Sequence, residues 1–219
     1  MLLMQELRRQ AGRAGGTLIV TYGLLLLLMV VSVALALKTH TPLGHLTRDP
    51  AAIAHLRPLD GVLSNLGIIF WCFAASVCLF CSRLLAGRAS WFLLCSGAVT
   101  TVLMLDDFFQ LHEHVFRHSF HVPQILVYGA YAAMLLLYLL WFSEDILRTD
   151  FAILVLALGL FAFSTFVDVA SDHTSLLEHI PGRALLEDGA KLAGIVTWFL
   201  YFARTASAYV TAAPSRPAP

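Results

Sequence analysis

Six stretches of this chain, 17–37, 61–81, 90–110, 122–142, 151–171 and 186–206, are each predominantly apolar over about twenty residues. That length, wound as an α-helix, crosses the ~30 Å hydrocarbon core of a bilayer. None of the six alternates with period two, as the strands of a membrane barrel do. Backbone in lipid must satisfy its own hydrogen bonds, so helices are what remains. The expected fold is all-α, a polytopic membrane helix bundle with six transmembrane helices. Composition agrees with it: 59% of the residues are apolar and 13% charged, where a soluble domain has about half and about a quarter. A soluble globular enzyme and a disordered chain are excluded. The formal net charge of zero excludes the basic surface that nucleic-acid binding needs.

Orientation follows from lysine and arginine, which accumulate on the cytoplasmic side. With the N-terminus inside, Arg8, Arg9, Arg13, Arg83, Arg88, Arg148, Arg204 and Arg216 are cytoplasmic, against Lys38, Arg48, Arg57, Arg117 and Arg183 outside. Both ends are then cytoplasmic, and a bacterial inner (plasma) membrane is the expected location. The layout is a cytoplasmic segment 1–16, a transmembrane domain 17–206 and a Pro/Ala-rich tail 207–219 read as disordered. The outer loop 38–60 contains Asp49-Pro50, a good start for a short surface helix. Ala34-Leu35-Ala36 resembles a signal-peptidase site, but the apolar run before it is longer than the ~7–15 residues of a cleaved signal. It reads as an anchor that is kept. Cys78 and Cys81 have metal-ligand spacing inside an apolar helix, where cysteine behaves as a small hydrophobe.

The polar residues are distributed one-sidedly. In this topology all nine histidines and ten of the fourteen acids lie on the outer side. On the third span, counted at 100° per residue past the bilayer, Asp106, Asp107, Gln110, Glu113, His114, Arg117 and His118 share an arc of ~140°. On the fifth, Ser164, Thr165, Asp168, Ser171 and Asp172 share ~120°. Glu187, Asp188 and Lys191 cluster on the sixth, and Ser64 and Asn65 stand on the second, one turn from Asp60. An Asp or Lys at the centre of a spanning helix costs ~2.5–3.5 kcal/mol on insertion scales. Such groups therefore turn inward, pair, or bind ions. The expectation is an outward polar cup, with Ser64, Asn65, Asp106, Gln110, His173, Glu187 and Asp188 supporting it. A blander account is that these charges only solvate helix ends, with Lys191 paired to Glu187 one turn away.

Carboxylates and imidazoles around one site suit a divalent metal, most of all zinc. His114 and His118 are one turn apart, so both rings can reach one ion from one helix face. Asp107, Asp168 and Asp172 are the further candidate ligands. Glu113 is the candidate general base for a metal-bound water, and Lys191 the candidate oxyanion or phosphate contact. The expected activity is metal-dependent hydrolysis of an amide or ester in a lipid or headgroup-sized substrate, with the bilayer itself as partner.

Leu63-Ser64-Asn65-Leu66 and Leu105-Asp106-Asp107 are similar to the Ser-Asn and acidic patches of membrane metallohydrolases of the alkaline ceramidase type. The similarity covers under a tenth of the chain and implies that a zinc-dependent amidase is feasible in such a cup. The chain departs from that pattern in having six apolar stretches rather than seven, and Glu187, Asp188 and Lys191 rather than histidine on the last helix. The competing classes are a cation or proton transporter and a non-catalytic accessory subunit of a membrane complex. Transport would place acids near the midplane on broken helices, whereas these acids are peripheral.

Overall fold

A computed structural model describes the backbone of residues 2–38, 40–48, 50–57, 59–111, 122–173 and 182–213, and the side chains among these apart from 2–14, 50, 124 and 171–173. The described residues are helical, with no strand among them. The chain divides into two compact units, Met1–Asp60 and Gly61–Pro219.

The first unit is dominated by α1 (Leu2–Lys38). Its apolar side chains from Leu18 to Leu37 are exposed along the helix apart from Ala36, which is buried. A helix that is hydrophobic all round belongs in lipid or in a large core. A 3₁₀ turn (Leu43–Leu46) and the four-residue α2 (Pro50–Ile53) follow.

The second unit holds α3 (Val62–Leu84), α4 (Gly87–Phe109), α5 (Gln124–Trp141), the single-turn α6 (Ser143–Leu147), α7 (Phe151–His173) and α8 (Arg183–Ala212). Gly61 and Gly182, in front of α3 and α8, have φ of 71° and 84°, a left-handed conformation in which a side chain is strained. α3 packs on α4 and α8, and α8 packs also on α7. α5 meets its neighbours through tyrosines, Tyr138 stacking on Phe92 of α4. Small residues permit the close approaches: a Cβ on Gly97 would meet Leu79 at 2.7 Å, and one on Gly194 would meet Phe161 at 2.7 Å. Such contacts hold helices together where lipid removes the hydrophobic drive between them.

The core is aromatic, with Trp71, Phe92, Trp198, Tyr201 and Phe202 buried. Several of its polar atoms are matched in pairs, while the buried Trp71 indole N–H has no hydrogen-bond partner among the described residues. The Trp198 indole N–H donates to Thr100 at 3.0 Å, and Ser96 and Tyr138 share a hydrogen bond of 2.7 Å, as Thr149 and Tyr201 do at 2.8 Å. At one end of this unit Arg88 binds Asp145 at 2.9 Å and Arg204 binds Asp150 at 2.7 Å. The α3–α4 connection, the α5–α7 connection and the end of α8 therefore lie together. The described acids of the candidate site lie at the opposite ends of the same helices.

Four helical stretches are long and apolar enough to cross a membrane: Gly15–Lys38, Val62–Leu84, Gly87–Phe109 and Phe151–Ala170. Ile125–Trp141 is apolar but shorter, and α8 carries Glu187, Asp188, Lys191 and Arg204 along its length.

Candidate functional site

The last turn of α4 carries adjacent carboxylates that point to different partners. Asp106 is buried and accepts a hydrogen bond from the Tyr131 hydroxyl of α5 at 2.7 Å. Asp107 forms an ion pair with the Lys191 ammonium of α8, its own side chain only 10% exposed. The sequence count paired Lys191 with Glu187 on its own helix. The structure instead joins Lys191 to Asp107 across two helices, while Glu187 forms an ion pair with Arg183 at 3.7 Å. α8 lies against the bundle, so the long lysine side chain reaches a carboxylate on a facing helix.

On α7, Asp168 accepts a hydrogen bond from Tyr128 of α5 at 2.9 Å. One turn earlier the buried Ser164 hydroxyl donates to the Glu187 carbonyl oxygen at 3.1 Å, fastening α7 to α8. Glu187 stands close enough to Asp168, Asp188, Arg183 and Lys191 for their charges to act on it. Asp188 and Ser64 line a cleft of about 20 Å³ beside the Asp107–Lys191 pair, with Leu63, Gly67, Leu192 and Ile195 as its apolar walls. That volume holds about one water molecule. Asn65 is exposed beside it.

Gln110 changes how the third span is read. The α-helix ends at Phe109, and Gln110 caps it in the left-handed conformation with φ 49°, its N–H bonded to the Asp106 carbonyl. The count of 100° per residue from Asp106 to Glu113, His114, Arg117 and His118 assumes an unbroken helix, and the left-handed residue breaks it. Glu113, His114 and His118, and the side chains of Asp172 and His173, lie outside the described residues. Among the described residues no group of three His, Cys, Asp or Glu side chains is placed to hold a metal ion. The four cysteines are free thiols, with Cys78 buried in the core.

Tyr128 and Tyr131 are the site residues that sequence reasoning missed, because they lie in an apolar stretch. The signal was present nonetheless. Two phenols one turn apart near the start of an apolar helix need partners for their hydroxyls in a dry setting.

The all-helical fold and its apolar helices fit a multi-pass membrane protein. The chain matches, over residues 19–205, the family described as a domain of unknown function (DUF8692), and it belongs to that family. No curated protein and no solved structure matches it.

Proposed function

We propose that the chain spans a bacterial inner membrane six times with both ends cytoplasmic, and that its outward polar cup binds a divalent metal, zinc, to hydrolyse an amide or ester in a lipid or headgroup-sized substrate. The observation that carries this reading is the charge balance of the described layer. Five carboxylates (Asp106, Asp107, Asp168, Glu187 and Asp188) converge there with only Lys191 and Arg183 as basic side chains. An excess of negative charge at a membrane boundary calls for a cation. His114, His118 and Asp172 supply the remaining donors, with Asp168 as the ligand already on the described face. Glu113 is the base for the bound water, and His173 and Gln110 complete the rim. Asp107, held by Lys191, leaves the ligand set, since an ammonium already occupies the position of its counter-charge. Lys191 faces the substrate's oxyanion or phosphate from the neighbouring cleft.

A second reading, a non-catalytic accessory subunit, is favoured by one observation: the cross-helix bonds already hold Asp106, Asp107 and Asp168, and the cleft beside them has room for only one water. A cation or proton transporter would use the same carboxylates without a bound metal.

Elemental analysis of untagged protein separates the readings. The expected result is close to one zinc per chain, with His114→Ala and His118→Ala each weakening zinc binding more than about tenfold. Substoichiometric zinc, iron and manganese after reconstitution would put the accessory or transport reading in its place.

A further inference from the structure

The arginine end of the second unit holds an open groove of about 340 Å³, within the ~300–1,000 Å³ of small-ligand sites. Leu84, Leu85 and Ala89, where α3 passes into α4, and Tyr209 and Ala212, at the end of α8, line it. The lining is apolar except for the Tyr209 hydroxyl. The Tyr209 ring is anchored edge-on against Phe92 in the core, so the α8 side of the groove is held in place.

Charge is distributed unevenly around this groove. Arg88, the residue before Ala89, is bound to Asp145 at 2.9 Å, and Arg204 to Asp150 at 2.7 Å. Asp145 and Arg148 both stand close enough to Tyr209 for their charges to act on its phenol, which places the α6 turn beside the groove. Arg148, and Arg83 next to Leu84 in the last turn of α3, are exposed and form no ion pair among the described residues. Glu144 is the one acid of this end in the same condition. Two unpaired guanidiniums therefore stand against one unpaired carboxylate. A guanidinium matches a phosphate with two parallel hydrogen bonds, and basic pockets between membrane helices hold anionic head groups.

We propose that this groove binds an anionic phospholipid, an acyl chain lying against Leu84, Leu85, Ala89 and Ala212 and the phosphate held by Arg148 and Arg83. The apolar lining accounts for the chain, and the spare positive charge accounts for the choice of head group. The inference rests on the bundle lying in a bilayer, as proposed above, and uses neither the zinc site nor the orientation.

The test is native mass spectrometry of the full-length, delipidated protein in detergent, titrated in turn with phosphatidylglycerol and phosphatidylcholine of the same acyl chains. Phosphatidylglycerol should bind more tightly by about tenfold or more, with Arg148→Gln and Arg83→Gln each removing about fivefold of that preference. Ala89→Trp fills the groove and changes no charge, so it should weaken both lipids alike. Ala212→Trp does the same from an exposed position, should Ala89→Trp fail to fold. Arg183→Gln is the control: it removes one positive charge at the opposite end of α8 and should leave the preference unchanged. Equal binding of the two phospholipids by the wild type overturns the proposal. So does an Arg183→Gln loss equal to that of Arg148→Gln, which would make the preference one of net charge alone. A dimer that Ala89→Trp disperses, without any lipid preference, would make a second copy of the chain the occupant and overturn it as well. The zinc reading is measured separately, by metal content, and stands or falls apart from each of these results.

Discussion

A partly buried ammonium needs a counter-charge, and for Lys191 a carboxylate on a different helix provides one. Asp107 is 10% exposed and Lys191 38%, so the pair is screened by solvent on one side only. Removing one partner of such a pair leaves the other charge stranded, which is what makes the loss costly. Lys191→Met should lower stability by about 1–3 kcal/mol, less than for a fully buried pair because the lysine is partly exposed. A second change, Asp107→Asn, should recover part of that loss, since neither charge then remains. Glu187→Gln in the same background should recover less, because Glu187 keeps Arg183 as a partner. Thermal unfolding in detergent reads the wild type, the single variants Lys191→Met and Asp107→Asn, and the two double variants. Strictly additive losses for Lys191→Met and Asp107→Asn would mean that the two side chains do not interact.

At the scale of helices, the close contacts decide what each element tolerates. A Cβ on Gly194 would stand 2.7 Å from the Phe161 ring and 3.4 Å from the Ala157 carbonyl oxygen, so α7 and α8 would have to separate. Gly194→Ala should cost about 1–3 kcal/mol by overpacking. Gly159→Ala on α7, where a Cβ meets nothing within 4 Å, should be neutral or stabilising by a few tenths up to about 1 kcal/mol. Equal melting temperatures for the two variants would show that the α7–α8 contact is looser than described. These elements were largely legible in the chain. Described helices lie over all six apolar stretches, and four of these carry a helical stretch long and apolar enough to cross a membrane. What the count missed is local. The polarity of Gln110 gave no hint of its left-handed cap, and a helix-wheel argument cannot see a break in the helix it assumes. The partner of Lys191 was equally hidden, because sequence spacing reports neighbours on one helix and says nothing of a carboxylate eighty-four residues away. Tyr128 and Tyr131 show the converse, polar contacts made from within a stretch that reads as apolar.

For the molecule as a whole, the question is which end of the second unit faces the cytoplasm. The two clamps Arg88–Asp145 and Arg204–Asp150 hold the α3–α4 connection, the α5–α7 connection and the end of α8 at one end. That end also carries Arg83 and Arg148. Pairing with Asp145 and Asp150 does not weaken the topological signal, because lysine and arginine set orientation while Asp and Glu contribute little. The arginine-bearing end should be cytoplasmic, and the Asp106–Tyr131, Asp168–Tyr128 and Asp107–Lys191 layer should face outward. In a background with the four native cysteines replaced, Ala86→Cys should resist a membrane-impermeant maleimide applied to intact cells, and should react once the membrane is opened. Ser119→Cys and Ser175→Cys should react from outside. Ala86 is exposed on the protein, so burial cannot explain its protection in intact cells. Reaction of Ala86→Cys from outside would invert the bundle, turn the carboxylate layer toward the cytoplasm, and remove the outward cup together with any substrate from the outer leaflet.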